Sequence, residues 1–412
     1  MSIDIKMAWR NVWRNPRRTL LTVSAIIFAC MILVFMLSLQ FGSYETMINT
    51  SVKIYAGHLQ VQAEEYHEKM KMRMVVTDPD SVFRILDSVK GVEAYTARAK
   101  AFSLVSSDSR TSGVLVIGID PEREANVSTI TRLIREGRYL SSKDTNKAIV
   151  GKLLAKNLHV VPGDELTLLG QGRDGSIAAT VLEIKGIFGS GIDEFDRSAL
   201  QIPLEYFQEV FAMGSAVHEV VVIGESLKKI SDIKSAVQMN LDGLSGKYRL
   251  KILDWMELMP GLLQGIQIDL VGGIIFYVIL ILVVSFSILN TFLMAIFERT
   301  REFGMLMAIG TTPKRLTKLL LMESMCMTII GVTMGIVLGS IITFYFQVYG
   351  IDLAGASEVL KQYGISGRLH PRLTFISVTS GPLIVMFFAF CAALYPALKV
   401  RSLKPVDAMA YV

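Results

Sequence analysis

The sequence predicts an α-helical membrane protein of four transmembrane helices, with a large mixed α/β periplasmic domain inserted between the first and the second. Three observations predict it. Of 412 residues, 51% are hydrophobic and mean hydropathy is +0.46, too apolar for an ordinary soluble protein. Four windows, 20–41, 270–297, 319–346 and 373–398, each exceed the roughly 20 apolar residues that cross a bilayer, and Glu323 is their one charged side chain. Basic residues crowd segments 1–19, 298–318 and 399–412, which places both termini and the 298–318 loop on the cytoplasmic side.

Residues 1–19 read as a cytoplasmic amphipathic elbow helix. Ile5, Ala8, Trp9, Val12 and Trp13 share one face, and Lys6, Arg10, Asn11 and Arg14 the other, so indole rings lie at headgroup depth and cations face lipid phosphates. Segment 20–52 is the first span with an extension beyond the membrane. Its apolar run is too long for a signal-peptide core and no A-x-A site follows, so it reads as a retained anchor.

Residues 53–253 form the α/β domain. Strands are expected at 58–62, 112–119, 165–169, 178–187 and 217–223, and helices at 79–89, 151–158 and 204–211. The domain is near charge balance, which gives no reason to expect nucleic acid as a partner. Cys30, Cys326 and Cys391 all fall in spans, so no disulfide staples this domain.

Segment 254–297 opens on a capping box, Asp254 with Glu257. Pro260–Gly261 then kinks or restarts the helix. Residues 262–297 run on for about 54 Å at 1.5 Å per residue, longer than a hydrocarbon core of about 30 Å. The first two spans therefore read as stalks that carry the outer domain. Apolar stalk faces at Phe41, Tyr44, Leu262 and Ile266 are the candidate substrate cavity.

Segment 298–318 reads as a short amphipathic helix lying crosswise, a stop and a new helix start. Glu298, Arg299, Arg301 and Glu302 charge its first turns. Phe303, Leu306, Met307 and Gly310 form an apolar stripe that ends on a helix-stopping glycine. Thr311 or Thr312 caps the next helix, with Pro313 at its first position. The third span, 319–346, carries Gly331, Gly335 and Gly339, spacing that lets two helix backbones meet within the subunit or across a dimer. Glu323 reads as a structural or dimer contact in preference to a proton relay. Segment 347–372 is a short periplasmic loop and 373–398 the fourth span. In the 399–412 tail and just before it, Pro405 and Pro396 break the helix.

The chemistry of catalysis is missing. No G-x-x-x-x-G-K-[ST] occurs; Gly170, Gly172 and Gly175 precede a strand-like run and read as a surface turn. The five histidines and three cysteines show no metal-ligand spacing, so no metal site and no cofactor is expected in this chain. The chain reads as no enzyme.

Four motifs carry a resemblance. They are A-W-R-N-V-W-R-N-P-R-R-T at 8–19, R-x-x-E-F-G-x-L-x-A-I-G-x-x-x-x-x-L at 299–316, M-E-S with the glycine ladder at 322–339, and Y-P-A-x-x-x-x-x-L-x-P-x-D-A at 395–408. Together they resemble the MacB/FtsX/LolC–LolE permeases, the mechanotransmission (type VII) class of ABC transporters, and look most like LolE-like lipoprotein-releasing permeases. The resemblance implies that Glu298, Arg299, Arg301, Glu302, Phe303, Gly304, Leu306, Gly310 and Pro313 couple to a separate ATPase subunit. Two copies of that subunit would bind ATP and Mg. It further implies a second permease subunit, as homodimer or heterodimer, in the bacterial inner membrane, and transfer of lipoproteins to a periplasmic carrier. The Asn-Gly-Phe-Glu run common in LolC and LolE is replaced by Gln40-Phe41-Gly42-Ser43-Tyr44-Glu45. MacB-like export of a drug, peptide or toxin, and FtsX-like signalling to a periplasmic hydrolase, stay open as alternatives.

Overall fold

The computed structural model describes residues 3–244, 248–352 and 368–400. Its described residues divide into two compact units, a helical one built from 3–44, 266–352 and 368–400, and an outer one built from 45–244 and 248–265. In chain order, α1 (Ile3–Arg14) and α2 (Pro16–Ser51) are followed by a π turn, Val52–Ala56. Then come β1 (Leu59–Ala63), α3 (Tyr66–Lys69), α4 (Pro79–Ser88), β2 (Val92–Ser106), β3 (Thr111–Ile119), α5 (Pro121–Val127), β4 (Ile134–Gly137) and β5 (Lys147–Gly151). The outer unit continues with α6 (Lys152–Leu158), β6 (Glu165–Gln171), β7 (Ile177–Phe188), α7 (Asp193–Ser198), β8 (Ala199–Pro203) and α8 (Leu204–Val210). It ends with β9 (Glu219–Gly224), α9 (Ile230–Leu241), β10 (Leu250–Asp254) and α10 (Trp255–Leu258). Three long helices follow, α11 (Pro260–Ala308), α12 (Pro313–Tyr349) and α13 (Phe375–Val400), with a small ladder, β11 (Ile351–Asp352) on β12 (Arg368–Leu369), between the last two.

Local chemistry sets the outer unit's elements. Asp78-Pro79 and Asp120-Pro121 start α4 and α5 alike. In each the aspartate accepts from backbone amides of the first turn (Ser81 at 3.2 Å, Glu122 at 3.0 Å) and proline takes the first helical position. The expected Asp254–Glu257 capping box is formed, and the helix restarts at Pro260. The Gly172–Gly175 stretch is the tight turn of the β6–β7 hairpin, with Gly175 at φ +96°, a conformation that favours glycine.

All five expected strands and three expected helices exist, each with an end displaced by a residue or two. Four of the larger strands, β2, β5, β8 and β10, and the helix α9 were not expected. The pairings explain why these matter. β2 bonds to β3, β3 to β8, β8 to β5, β5 to β7, β7 to β6, and β6 returns to β2. These six strands close a ring, and each supplies side chains to its core, among them Ala101, Val116, Leu200, Val150, Leu182 and Leu168. β9, β1 and β10 extend the sheet from β2, where α4 and α9 cover one face with Val82, Leu86, Ile233 and Val237. The outermost strand is sealed by a side chain: Gln238 of α9 accepts from the Ile252 amide at 3.0 Å and donates to the Leu250 carbonyl at 3.3 Å. An open strand edge is thereby blunted.

In the helical unit, α2, α11, α12 and α13 contain the segments long and apolar enough to cross a membrane. Two expectations are corrected. No crosswise helix separates the second span from the third, because α11 runs unbroken for 49 residues, about 74 Å at 1.5 Å per residue. The sequence has no proline between Leu262 and Ile309, and charged side chains in its last turns are good helix formers. Pro396 does not break the last helix either. It lies buried inside α13, as does Pro382, and in a packed membrane helix neighbouring groups make such prolines tolerable. Pro405 lies outside the described residues.

Candidate coupling site and helix seams

The end of α11 is where the family resemblance places the coupling function. Gly310, at φ +103°, stops the helix, and the amides of Gly310 and Thr311 return to the carbonyls of Met307 and Leu306. Thr312 stands at the cap position of α12 without a side-chain cap bond, and Pro313 opens the helix. The expected apolar stripe splits in two. Phe303 and Met307 are buried with Ile296, Leu316, Leu320 and Ala397, and Gly304 is buried as well. Met305, Leu306 and Ile309 face outward, Ile309 at 85% exposure, beside exposed Glu298 and Arg301.

The charged face splits too. Glu302 was expected to share an outward face with Glu298 and Arg301, but it is held from inside the chain. Arg14 of α1 forms an ion pair and hydrogen bond with it, and Arg299 lies 3.3 Å away. The hydrogen bond from Arg14 holds the Glu302 carboxyl below the usual range. Arg299 also reaches Glu323 of α12 at 3.3 Å, where both side chains are largely buried. The intramembrane carboxylate expected to make a structural contact thus has an arginine partner. Arg14, Glu302, Arg299 and Glu323 form one alternating chain that joins α1, α11 and α12.

The glycine ladder packs within the chain. A Cβ at Gly331 would lie 2.8 Å from Ile26; at Gly335, 2.6 Å from Cys30; and at Gly339, 3.1 Å from Val34. All three glycines therefore face α2. Gly381 of α13 approaches Leu33 of the same helix, 3.0 Å from where its Cβ would be. So α2 is the helix on which two others close.

The four cavity candidates are divided between the two units, three in the helical one and one in the outer one. Phe41 and Tyr44 are half-buried and Ile266 is buried in the helical unit, while Leu262 belongs to the outer unit. Tyr44 donates to Asp269 at 2.6 Å and accepts from Gln40 at 2.7 Å, and Tyr277 donates to Gln40 at 2.9 Å. A polar node therefore ties α2 to α11 where apolar faces were expected.

Sequence reasoning missed a buried polar face in the outer unit. On β1, β9 and β2 the alternation puts Gln60, Gln62, Glu219, Arg98 and Lys100 on one side, in register Gln62–Glu219–Arg98. All five are at least nine-tenths buried. Arg98 donates to Glu124 of α5 at 3.0 and 2.6 Å, and Lys100 pairs with Glu219 at 2.5 Å. Both cations lie over the Tyr55 ring, Lys100 at 4.5 Å and Arg98 at 5.0 Å. Burial opposes the charge on Arg98, but Glu124 and Glu219 more than offset it, so its proton is held more tightly than usual. A cavity of about 320 Å³ adjoins this face, walled by Tyr66, Met70, Phe195 and Leu258. The available signal was A-R-A-K-A, charges alternating with alanine at strand period.

Two buried histidines stitch the sheet. His218 accepts from the Lys100 amide at 2.9 Å and donates to the Met72 carbonyl at 3.2 Å; His58 accepts from the Gly224 amide at 3.1 Å and donates to Asn49 at 3.2 Å. Burial pushes each down to about 4, helped at His58 by Lys53 and at His218 by Lys100. Among the described residues no cluster of three or more metal-ligating side chains forms.

A MacB-like periplasmic core domain matches residues 19–238, and an FtsX-like permease C-terminal domain matches 274–405. The chain belongs to the MacB/FtsX-like permease family. The permease is 24% identical to the lipoprotein-releasing system transmembrane protein LolC of Xylella fastidiosa over 73% of its own length and 74% of that protein. It is 22% identical to the uncharacterized ABC transporter permease YknZ of Bacillus subtilis, over 99% and 98%. It is also 22% identical to the macrolide export ATP-binding/permease protein MacB of Campylobacter jejuni, over 98% of this permease and 60% of MacB. Among solved structures, the extracellular domain of YknZ from Gram-positive bacteria aligns with 48% of the permease and 99% of that domain, at 17% identity and TM-score 0.36. The permease is thus a multi-pass ABC transporter component of the LolC/LolE, MacB and FtsX type.

Proposed function

We propose that the permease converts ATP hydrolysis by a separate ATPase into motion of its outer unit, and so extracts lipoproteins from the bacterial inner membrane for a periplasmic carrier. The observation that carries the coupling is the patch at the end of α11. Glu298, Arg301, Met305, Leu306 and Ile309 are exposed there, and an apolar patch rimmed by charge suits a protein partner. ATP and Mg belong to two copies of that partner, since this sequence has no P-loop. A second permease completes the assembly, with both termini in the cytoplasm.

The lipoprotein substrate rests on likeness to LolC and LolE. The test is release from proteoliposomes holding the permease and its ATPase. An acylated protein is released to a soluble acceptor, and the same protein without acyl chains is not, because each buried CH₂ contributes about 0.8 kcal/mol. Equal handling of both forms would refute the lipoprotein reading. One observation favours a second reading, MacB-like export or FtsX-like signalling: the polar Gln40–Tyr44–Asp269 node stands where an acyl-binding face was expected.

A further inference from the structure

Where α1 turns into α2, a recess of about 240 Å³ opens toward α11 and α12. Its lining includes three arginines, Arg14, Arg18 and Arg299, and three glutamates, Glu298, Glu302 and Glu323. Four of the six are occupied with one another in the Arg14–Glu302–Arg299–Glu323 chain. Arg18 is half-buried and Glu298 exposed, and neither makes a side-chain hydrogen bond or ion pair among the described residues. The recess therefore offers one cation and one anion that feel each other's charge without a close ion pair, and its lining is neutral overall.

Its surroundings say what ligand is at hand. Trp9 and Trp13 are 45% and 51% exposed, and Leu20 and Leu21, two and three residues past Arg18, are 60% and 71% exposed. Indoles beside an apolar helix start mark the headgroup layer of a bilayer. The recess is thus bathed in phospholipid headgroups. It is smaller than the roughly 300–1,000 Å³ pockets that hold drug-sized ligands, which suits a small polar group. A guanidinium forks onto phosphate oxygens. A headgroup that is only anionic leaves Glu298 facing phosphate unpaired. A quaternary ammonium carries charge but has no N–H to donate to a carboxylate.

We propose that this recess binds a phosphoethanolamine headgroup of a membrane phospholipid, with the phosphate on Arg18 and the primary ammonium on Glu298. The apolar surface that starts at Leu20 continues from it along α2 for the acyl chains.

Glu298 serves both this reading and the coupling patch, so the experiment uses the full-length permease in a delipidating detergent without any ATPase, and lipid selectivity is read apart from docking. Phosphatidylethanolamine, phosphatidylcholine and phosphatidylglycerol of identical acyl chains are added in turn, and retained lipid is counted by native mass spectrometry. Retention of phosphatidylethanolamine should exceed the other two by about tenfold, one charge-assisted contact's worth. Arg18→Gln should weaken retention of all three, and Arg17→Gln, at an exposed neighbour, should change none. Glu298→Gln alters an exposed side chain, where substitutions cost little stability; it should bring phosphatidylethanolamine down to the phosphatidylcholine level. Equal retention of the three lipids, or an unchanged preference in Glu298→Gln, would overturn the proposal. Displacement of the lipid by an equal concentration of O-phosphoethanolamine or inorganic phosphate would overturn the lipid as the source, and resistance to both would support it.

Discussion

Arg98 and Glu124, at 1% and 0% exposure, are the sharpest test of what holds the outer unit together. Removing the carboxylate in Glu124→Ala strands a buried guanidinium, and breaking such a pair costs about 3–5 kcal/mol. Replacing both in Arg98→Met/Glu124→Leu removes the charge with its partner and should cost far less. Urea unfolding of the two variants measures the difference, and equal costs would show that the pair is not coupled. His58 and His218 make the second test at this scale. Each is neutral when folded, with its value pushed down to about 4, against about 6.5 when unfolded. Between those values the unfolded chain binds more protons, so stability falls as pH drops from about 6.5 to about 4, by roughly 3 kcal/mol per histidine once complete. Thermal unfolding across that range should show the loss, and His218→Gln should remove about half of it, leaving the share of His58; a pH-independent midpoint would refute the assignment. Neither pair was legible in the sequence. Arg98 and Lys100 went unremarked because a single strand does not reveal that both of its faces will be covered.

Elements carried more of their own evidence. The stop at Gly310, the capping box at Asp254 and the ladder at 331–339 were each readable, because a cap or a glycine spacing is a local property of the chain. What the ladder faces was not local, and the structure assigns it to α2. Gly335→Leu would drive a side chain into Cys30 and the Ile27 backbone, 2.6 and 2.9 Å from the new Cβ. Overpacking of this kind costs about 1–3 kcal/mol. The variant should melt lower in detergent while still inserting, and an unchanged midpoint would mean that α2 yields freely. The last turns of α11 were half legible. Periodicity found the apolar stripe, but it could not tell that Arg14, almost three hundred residues away in the chain, would claim Glu302. Glu302→Lys would thus set a lysine beside Arg14 and Arg299 and disturb α1 before any partner is met. Arg301→Glu, on an exposed side chain without that entanglement, is the cleaner probe of ATPase docking. It should leave insertion intact and lower ATPase co-purification by tenfold or more, since a wrong-sign charge in a fitted interface costs several kcal/mol. Undiminished co-purification would remove the coupling role from this face.

For the whole molecule, four spans and a large insert between the first two followed from hydropathy alone, because a bilayer imposes length and composition so strictly; the α/β character of the insert came from strand and helix patterning. The six-stranded ring did not follow, since closure depends on β2 pairing with β6 some sixty residues away, and nothing local announces it. The outer unit contains no cysteine; Cys30, Cys326 and Cys391 sit in α2, α12 and α13. Its folding is accordingly finished without an oxidant, and a reductant should leave its melting point where it was. It is also a blank page for thiol chemistry. A pair of cysteines introduced into it would have no native competitor within that unit, so the rate at which they join would report how often the two chosen positions meet.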